Sequence, residues 1–129
     1  MFSHVMLGAD DLDASRAFYD ATLGALGIPP GAIDAKGRLI YTHKGGRFMV
    51  TRPIDGGSAS HANGGTVGFL APSYEAVEAG HAIGVAHGGT TCENPPGLRE
   101  LGDGRRLYLA YLRDPAGNKL CLLTPATAP

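Results

Sequence analysis

Residues 4–9 (HVMLGA) decide the fold of this chain, because the pattern that they begin is repeated 62 residues later. This segment and the residues up to Gly27 align without a gap on residues 66–71 (TVGFLA) and the residues up to Gly89. Each stretch combines a short apolar strand, a polar break, a helical pattern and a closing glycine. A repeat of this size indicates two copies of one supersecondary unit, which must pack together because each is too small to bury its own core.

A second repeat follows the first. Residues 45–53 match residues 117–125 at an offset of 72, with Gly, a basic residue, apolar residues and Pro in the same order. A site built between two copies of one unit takes equivalent positions from each half. We therefore look for function at two paired positions, His4 with Thr66 and Met49 with Cys121.

The bulk composition limits the classes of protein to which the chain can belong. Its 129 residues are enough for one domain with a core, and 43% hydrophobic against 18% charged residues favour a folded chain. A net charge of -1, with no Lys/Arg cluster beyond Arg105 and Arg106, argues against a nucleic-acid surface. No apolar run reaches membrane-spanning length and no signal-peptide pattern is present, so we expect a soluble, cytoplasmic protein. Cys92 and Cys121 are too few for a disulfide framework and are expected to be free thiols.

Local patterns predict the elements of the first half. We expect a buried strand over residues 2–9 and then a helix that Asp11 caps at its N-terminus. Two further strands, over residues 39–43 and 47–51, are joined by a Gly-containing turn that is typical of a hairpin.

The second half is expected to repeat this order. A strand over residues 66–71 precedes a helix that Ser73 caps and that runs to about His87. Residues 90–104 are expected to form a long irregular loop, because they contain two prolines and several glycines. The last two strands are predicted over residues 106–112 and 119–123.

Two motifs carry a resemblance to a known superfamily. The turn at residues 114–118 (DPAGN) is one, and residues 96–99 (PGLR) add a weaker likeness. The opening motif is the other: His4-x-x-Leu7-x-x-x-Asp11-Leu12-x-x-Ser15-x-x-Phe18-Tyr19. With these motifs the chain resembles the vicinal oxygen chelate superfamily, which includes glyoxalase I, bleomycin-resistance proteins, fosfomycin-resistance proteins and extradiol dioxygenases. The likeness covers nearly the whole chain.

The resemblance implies an α+β fold of two βαβββ repeats that form a cupped mixed sheet. The repeats would occupy about residues 1–53 and 66–125 of a single domain, joined by a linker over about residues 54–65. The resemblance also implies a site inside the cup and a homodimer. In metal-dependent members, four ligands come from the first and last strands of each unit and are typically His and Glu.

Carried over residue by residue, the four ligand positions fall on His4, Met49, Thr66 and Cys121. Only His4 keeps the expected type, although Zn, Ni, Mn or Fe would be the metals implied. Cys121 could bind as a thiolate, which leaves His4 and Cys121 as the two weak metal candidates. Two other interpretations stay open: a soft His4/Met49/Cys121 set with copper-site ligand types, or strand residues that simply fill the cup.

Other side chains are candidates for the lining of the pocket. Tyr41, Tyr108 and Tyr111 lie on predicted strands and could stack on a ligand ring, whereas Arg99 could receive an anionic group. His43 and His61 could replace a lost ligand, but a strand end and a linker favour solvent exposure. The sequence assigns no catalytic residue.

Two main functions are consistent with these observations. One is a divergent glyoxalase-like lyase or isomerase with a reduced or relocated metal site. The other is a metal-free protein of the bleomycin-resistance type, which binds and sequesters a small molecule. A structural or regulatory module that kept only the fold is a third. The expected partner is a small molecule rather than nucleic acid or a membrane.

Overall fold

Local capping signals place the helices. Residues 1–127 are described in the computed structural model, and they form two helices and eight strands. Asp11 accepts a hydrogen bond from the amide of Ala14 (3.0 Å), and Ser73 accepts one from the amide of Ala76 (3.1 Å), as expected for N-caps. In chain order the elements are β1 (Val5–Gly8), α1 (Leu12–Gly24), β2 (Ala32–Ile33), β3 (Leu39–His43), β4 (Gly46–Thr51), β5 (Val67–Leu70), α2 (Tyr74–Ala86), β6 (Thr90–Glu100), β7 (Arg106–Arg113) and β8 (Lys119–Pro125).

The sequence repeat is reproduced in the strand register. β1 and β5 begin 62 residues apart, as do α1 and α2. In the first sheet Val5 pairs with Phe48, and in the second Val67 pairs with Leu120, so that both sequence offsets recur in one register. Each half therefore places the same positions of its first and last strands side by side.

The two sheets share one mixed topology. The first has the strand order β1-β4-β3-β2 and the second has the order β5-β8-β7-β6. In each sheet the first pair is parallel and the other pairs are antiparallel. The fold is thus α+β with two βαβββ modules, as expected. Neither helix in the described part of the chain is long and apolar enough to cross a membrane.

The predicted strand over residues 2–9 was wrong in its length and in its burial. β1 begins only at Val5, and Phe2 is 79% exposed. β1 pairs only with β4, which begins at Gly46, so residues before Val5 have almost no partner strand. β1 is a short, partly exposed edge strand rather than a buried one.

The loop predicted over residues 90–104 was also wrong. Residues 90–100 form β6, which pairs with β7 alone and is therefore an edge strand. The register shifts between Cys92 and Gly97, so that Pro95 and Pro96 fall in a bulge where no ladder hydrogen bond is required. Proline signals a break in a central strand, but an edge strand with a bulge tolerates it.

Alternation along the strands separates a buried side from a free side. In β8, Leu120 and Leu122 are fully buried in the core with the helices, so Cys121 between them points to the opposite side. In β4, Phe48 and Val50 face the core, and Met49 points away from it. We call the side of each sheet that is opposite to the helices its free face.

Small residues let the two helices pack closely. Gly84 of α2 lies so near its neighbours that an added Cβ would be 2.6 Å from a Leu112 methyl and 2.8 Å from the Thr22 hydroxyl. Thr22 lies in α1 and Leu112 in β7, so Gly84 sits where α2 meets both the other helix and its own sheet. The core then continues across the halves, where the rings of Phe48 and Phe69 contact edge to face at 5.1 Å.

A buried polar network joins the two halves. Asp114 follows β7 in the second half and accepts a hydrogen bond from the hydroxyl of Tyr19 in α1 (2.6 Å). The Asn118 side chain donates to the same carboxylate (2.9 Å) and to the carbonyl of Gly8 in β1 (3.1 Å). Burial and the neighbouring Asp114 raise the pKa of Tyr19 well above its usual value, so its hydroxyl remains a donor.

We predict that Gly84→Ala destabilises the protein by about 1–3 kcal/mol, because the methyl group overpacks a contact with fully buried neighbours. Gly24→Ala is the matched control, since an added Cβ there meets no atom within 4 Å. Alanine is favoured over glycine in a helix by up to about 1 kcal/mol, so the control should be neutral or slightly stabilising. Urea unfolding of both variants measures the difference, and equal midpoints would contradict the packing described above.

Candidate functional site

The first pair of candidate positions lies on the first sheet. His4 immediately precedes β1, is exposed, and its Nδ1 lies 2.8 Å from the Ser3 hydroxyl. Met49 is central in β4, between Met6 and Ile40 on the neighbouring strands, and is only 3% exposed. The pair therefore combines one solvated imidazole with one buried thioether.

The second pair lies on the second sheet. Thr66 immediately precedes β5 and is exposed, whereas Cys121 in β8 is 4% exposed. Cys121 is flanked in register by Gly68 on one side and Tyr111 on the other. Burial raises the pKa of the Cys121 thiol to about 11, so at neutral pH the sulfur carries its proton.

One chain does not bring the four positions together as a metal site. The two sheets are separate ladders, and each carries one pair. No group of three or more His, Cys, Asp or Glu side chains within residues 1–127 is placed to hold a metal ion. What the chain does build is two equivalent half-sites, each of one strand-start residue and one central residue on a free face.

Polar side chains surround Cys121. Tyr111 is its direct neighbour, and the ammonium of Lys119 lies 4.6 Å from the centre of the Tyr111 ring. Lys119 also forms an ion pair with Glu93, and the hydrogen bond to Glu93 raises the pKa of Lys119. Arg99 is close enough for its charge to favour the ionised thiol, although burial dominates. This group forms the most polar part of the second free face.

Two members of this group were not anticipated from the sequence. Lys119 alternates with Cys121 along β8, and that spacing could have placed it on the same face. Glu93 lay in a segment expected to be irregular, so no periodicity pointed to it. It is a non-glycine residue with a φ of 58°, at the start of the β6 bulge.

The other predicted lining tyrosines lie on the core side. Tyr41 is buried next to Tyr19, and its hydroxyl donates to Asp20 of α1 (2.7 Å). Tyr108 stacks on Tyr74 at 4.1 Å and donates to Glu78 of α2. Because the strand period is two, both point away from the side that carries Cys121 and Tyr111. Of the four predicted lining residues, the structure groups Tyr111 and Arg99 with Cys121 and places the two others with the helices.

The remaining histidine candidates lie apart from the pairs. His61 covers the turn at Gly117, where an added Cβ would be 2.7 Å from its Nδ1. His43 ends β3 and lines a cavity on the core side of the first sheet. Neither is grouped with His4, Met49, Thr66 or Cys121 as a metal ligand.

Comparison with known proteins gives a consistent result. A model of the Glyoxalase/Bleomycin resistance protein/Dioxygenase superfamily matches residues 1–122. A glyoxalase/bleomycin resistance protein from Albidiferax ferrireducens T118 is 56% identical, with a TM-score of 0.91 over 96% of this chain and 98% of that one. A lactoylglutathione lyase from Agrobacterium tumefaciens is 21% identical, with a TM-score of 0.64 over 96% and 92%, and shows the fold alone. A search of curated proteins finds no match.

We predict that the two cysteines differ sharply in reactivity. With a pKa of about 11, Cys121 holds roughly a few hundred times less thiolate at pH 7.5 than a thiol of ordinary pKa. Iodoacetamide should therefore modify the Cys121→Ser variant, which keeps the half-exposed Cys92, and leave the Cys92→Ser variant nearly untouched. Mass spectrometry of both variants follows the adduct. Rapid modification of Cys121 in the folded protein would show that its thiol is neither buried nor neutral.

Proposed function

Because the chain belongs to the glyoxalase/bleomycin resistance protein/dioxygenase superfamily, we propose that it binds a small organic molecule on its free faces without a catalytic metal. The observation that carries the proposal is the state of Cys121. It occupies a position at which metal-dependent members typically have a carboxylate, and burial keeps its thiol neutral. The candidate site thus lacks negative charge where a divalent cation needs it.

The complete donor set does not fit the metals that the family implies. Zn, Ni, Mn and Fe prefer imidazole, carboxylate and, for Zn, thiolate ligands. Met49 offers a soft thioether and Thr66 a neutral hydroxyl, which leaves His4 as the one ligand of ordinary type. A single imidazole does not define a metal site. The same set provides no carboxylate base, and isomerisation of a hemithioacetal requires a base.

The free face around Cys121 has the make-up of a small-molecule site instead. Small-molecule sites combine an apolar floor with a few polar groups that fix the orientation of the ligand. Leu109 and Cys121 are buried floor residues, and Tyr111 presents a ring beside them. Lys119 and Arg99 add positive charge at this place. This arrangement suits an aromatic compound that carries an acidic or strongly polar group.

We further propose a homodimer that completes the cup. β1 and β5 are edge strands, each paired on one side only. Both expose large apolar side chains: Met6 is 37% exposed and Leu70 is 71% exposed. Exposed edges with apolar side chains invite pairing with another chain. A second copy would cover them and could join a half-site of one chain to a half-site of the other.

The thiols support a reducing compartment, which is the basis for proposing a cytoplasmic location. Cys92 and Cys121 are both free, and each is paired in register with Tyr111, one on either side of it. With a strand between them, their Cα atoms are about two inter-strand spacings apart, which is too far for a disulfide.

We predict that the purified protein contains no stoichiometric metal and that Ni, Zn, Mn, Fe(II) and Cu(I) leave its melting temperature unchanged. The physical reason is the missing anionic ligands described above. Bleomycin, the compound that the family description names, is the first binding probe, together with a panel of small aromatic acids. Stabilisation by a compound should persist in EDTA and weaken in Tyr111→Ala, with Tyr108→Ala as the matched control on the core side.

Elemental analysis and thermal shift also supply the contrary result. A metal present at one ion per site and lost in His4→Ala would refute the metal-free proposal and favour a divergent lyase or isomerase. Turnover of a hemithioacetal that EDTA abolishes would do the same.

A further inference from the structure

A second cavity lies on the core side of the sheets, away from both free faces. It has a volume of about 360 Å³, within the range of ordinary small-molecule sites, which is about 300–1,000 Å³. None of His4, Met49, Thr66 and Cys121 lines it. It therefore differs in place from the site proposed above.

Three elements supply apolar walls to this cavity. The first sheet contributes Val5 and Phe48, the second sheet contributes Val67 and Phe69, and the end of α1 contributes Leu23 and Leu26. The Phe48 and Phe69 rings contact each other at 5.1 Å, so aromatic surface from both halves lies together. A ligand with an apolar body would bury surface against these walls at about 25 cal/mol per Å².

Positive charge is concentrated at one end, in the β3–β4 hairpin. His43, Lys44 and Arg47 all line the cavity there, and no acidic side chain in the described part of the chain lines it. Lys44 and Arg47 form no ion pair with the acidic residues of that part. Lys44 and Gly45 have positive φ angles of 47° and 82°, the geometry of a tight type I′ turn. The two cations are thus presented on a rigid hairpin without a protein counter-ion.

The backbone near the cavity favours an anionic head group over a hydrogen-bond donor. The last carbonyls of α1 are already occupied: Leu23 accepts from Leu26 and Ile28, and Gly24 accepts from Gly27. A donor group on a ligand would find few free acceptors there. A carboxylate, which only accepts, would meet the cationic side chains.

We propose that this cavity binds a small monocarboxylate amphiphile, with its apolar body between Phe48 and Phe69 and its carboxylate at Lys44 and Arg47. The site goes beyond the free-face function and does not depend on it. The occupant is defined by its chemistry, an apolar body that ends in one anion, because only such a molecule satisfies both the walls and the cationic end.

Octanoate and 1-octanol are the test probes, since they share an apolar body and differ in head-group charge. Titration is followed by the backbone amide NMR signals of Gly46 and Gly68, which line the cavity, with Gly102 as an outside reference. Octanoate should shift the first two signals and bind more tightly than 1-octanol. Lys44→Gln/Arg47→Gln should weaken octanoate about threefold to tenfold, as expected for two exposed ion pairs. It should leave 1-octanol unchanged.

Two controls keep the proposal open to refutation. Lys36→Gln/Arg105→Gln removes the same charge from exposed positions outside the cavity and should leave octanoate binding unchanged. Val67→Phe narrows the cavity and should weaken both probes. Unchanged octanoate affinity in Lys44→Gln/Arg47→Gln, or equal affinity for the two probes, would overturn the assignment. Loss of octanoate binding in Cys121→Ser would place the ligand on the free face and overturn it as well. Failure to find a free-face ligand would not affect these outcomes.

Discussion

The buried carboxylate of Asp114 is the interaction on which the relative placement of the two halves depends. Four donors surround it: the amides of Ala116 and Asn118 on one oxygen, and the Tyr19 hydroxyl and Asn118 side chain on the other. A buried carboxylate left without such partners would be costly. Since Tyr19 belongs to α1 and Asn118 also holds the end of β1, the charge is satisfied only when both halves are in place.

This constraint explains how one chain can carry two chemically different surfaces. With both helices and the Asp114 network on the inner side, alternation along the strands sends Met49 and Cys121 outwards and keeps Phe48 and Leu122 inside. The inner side closes around a core and leaves one apolar cavity near the β3–β4 hairpin. The outer side remains available, so a change of ligand types there does not disturb the fold.

Much of the fold could be predicted from the sequence, because the repeat reports register as well as order. Offsets of 62 and 72 residues anticipate the pairing of Val5 with Phe48 and of Val67 with Leu120. The errors arose where tertiary context overrides a local rule. β6 tolerates Pro95 and Pro96 because it is an edge strand with a bulge, and residues 2–4 lack a partner strand. The division into units over residues 1–53 and 66–125 stays a prediction.

The candidate site was only partly accessible to sequence analysis. Cys121 and Tyr111 could be grouped once β7 and β8 were paired, whereas Tyr41 and Tyr108 have the opposite strand parity and pack with the helices. Glu93 had no detectable signal, because its position follows from the bulge. Burial, which makes the Cys121 thiol neutral, is a property of the packed sheet rather than of local sequence.

The measurement that tests the central claim most directly is a zinc and nickel titration of the natural chain beside the variant Met49→Glu/Thr66→His/Cys121→Glu. If ligand type alone separates this chain from metal-binding relatives, the variant should bind one ion per site and the natural chain should bind none. Equal, stoichiometric binding by the natural chain would contradict the account, because its buried neutral thiol and thioether would then suffice for a metal site.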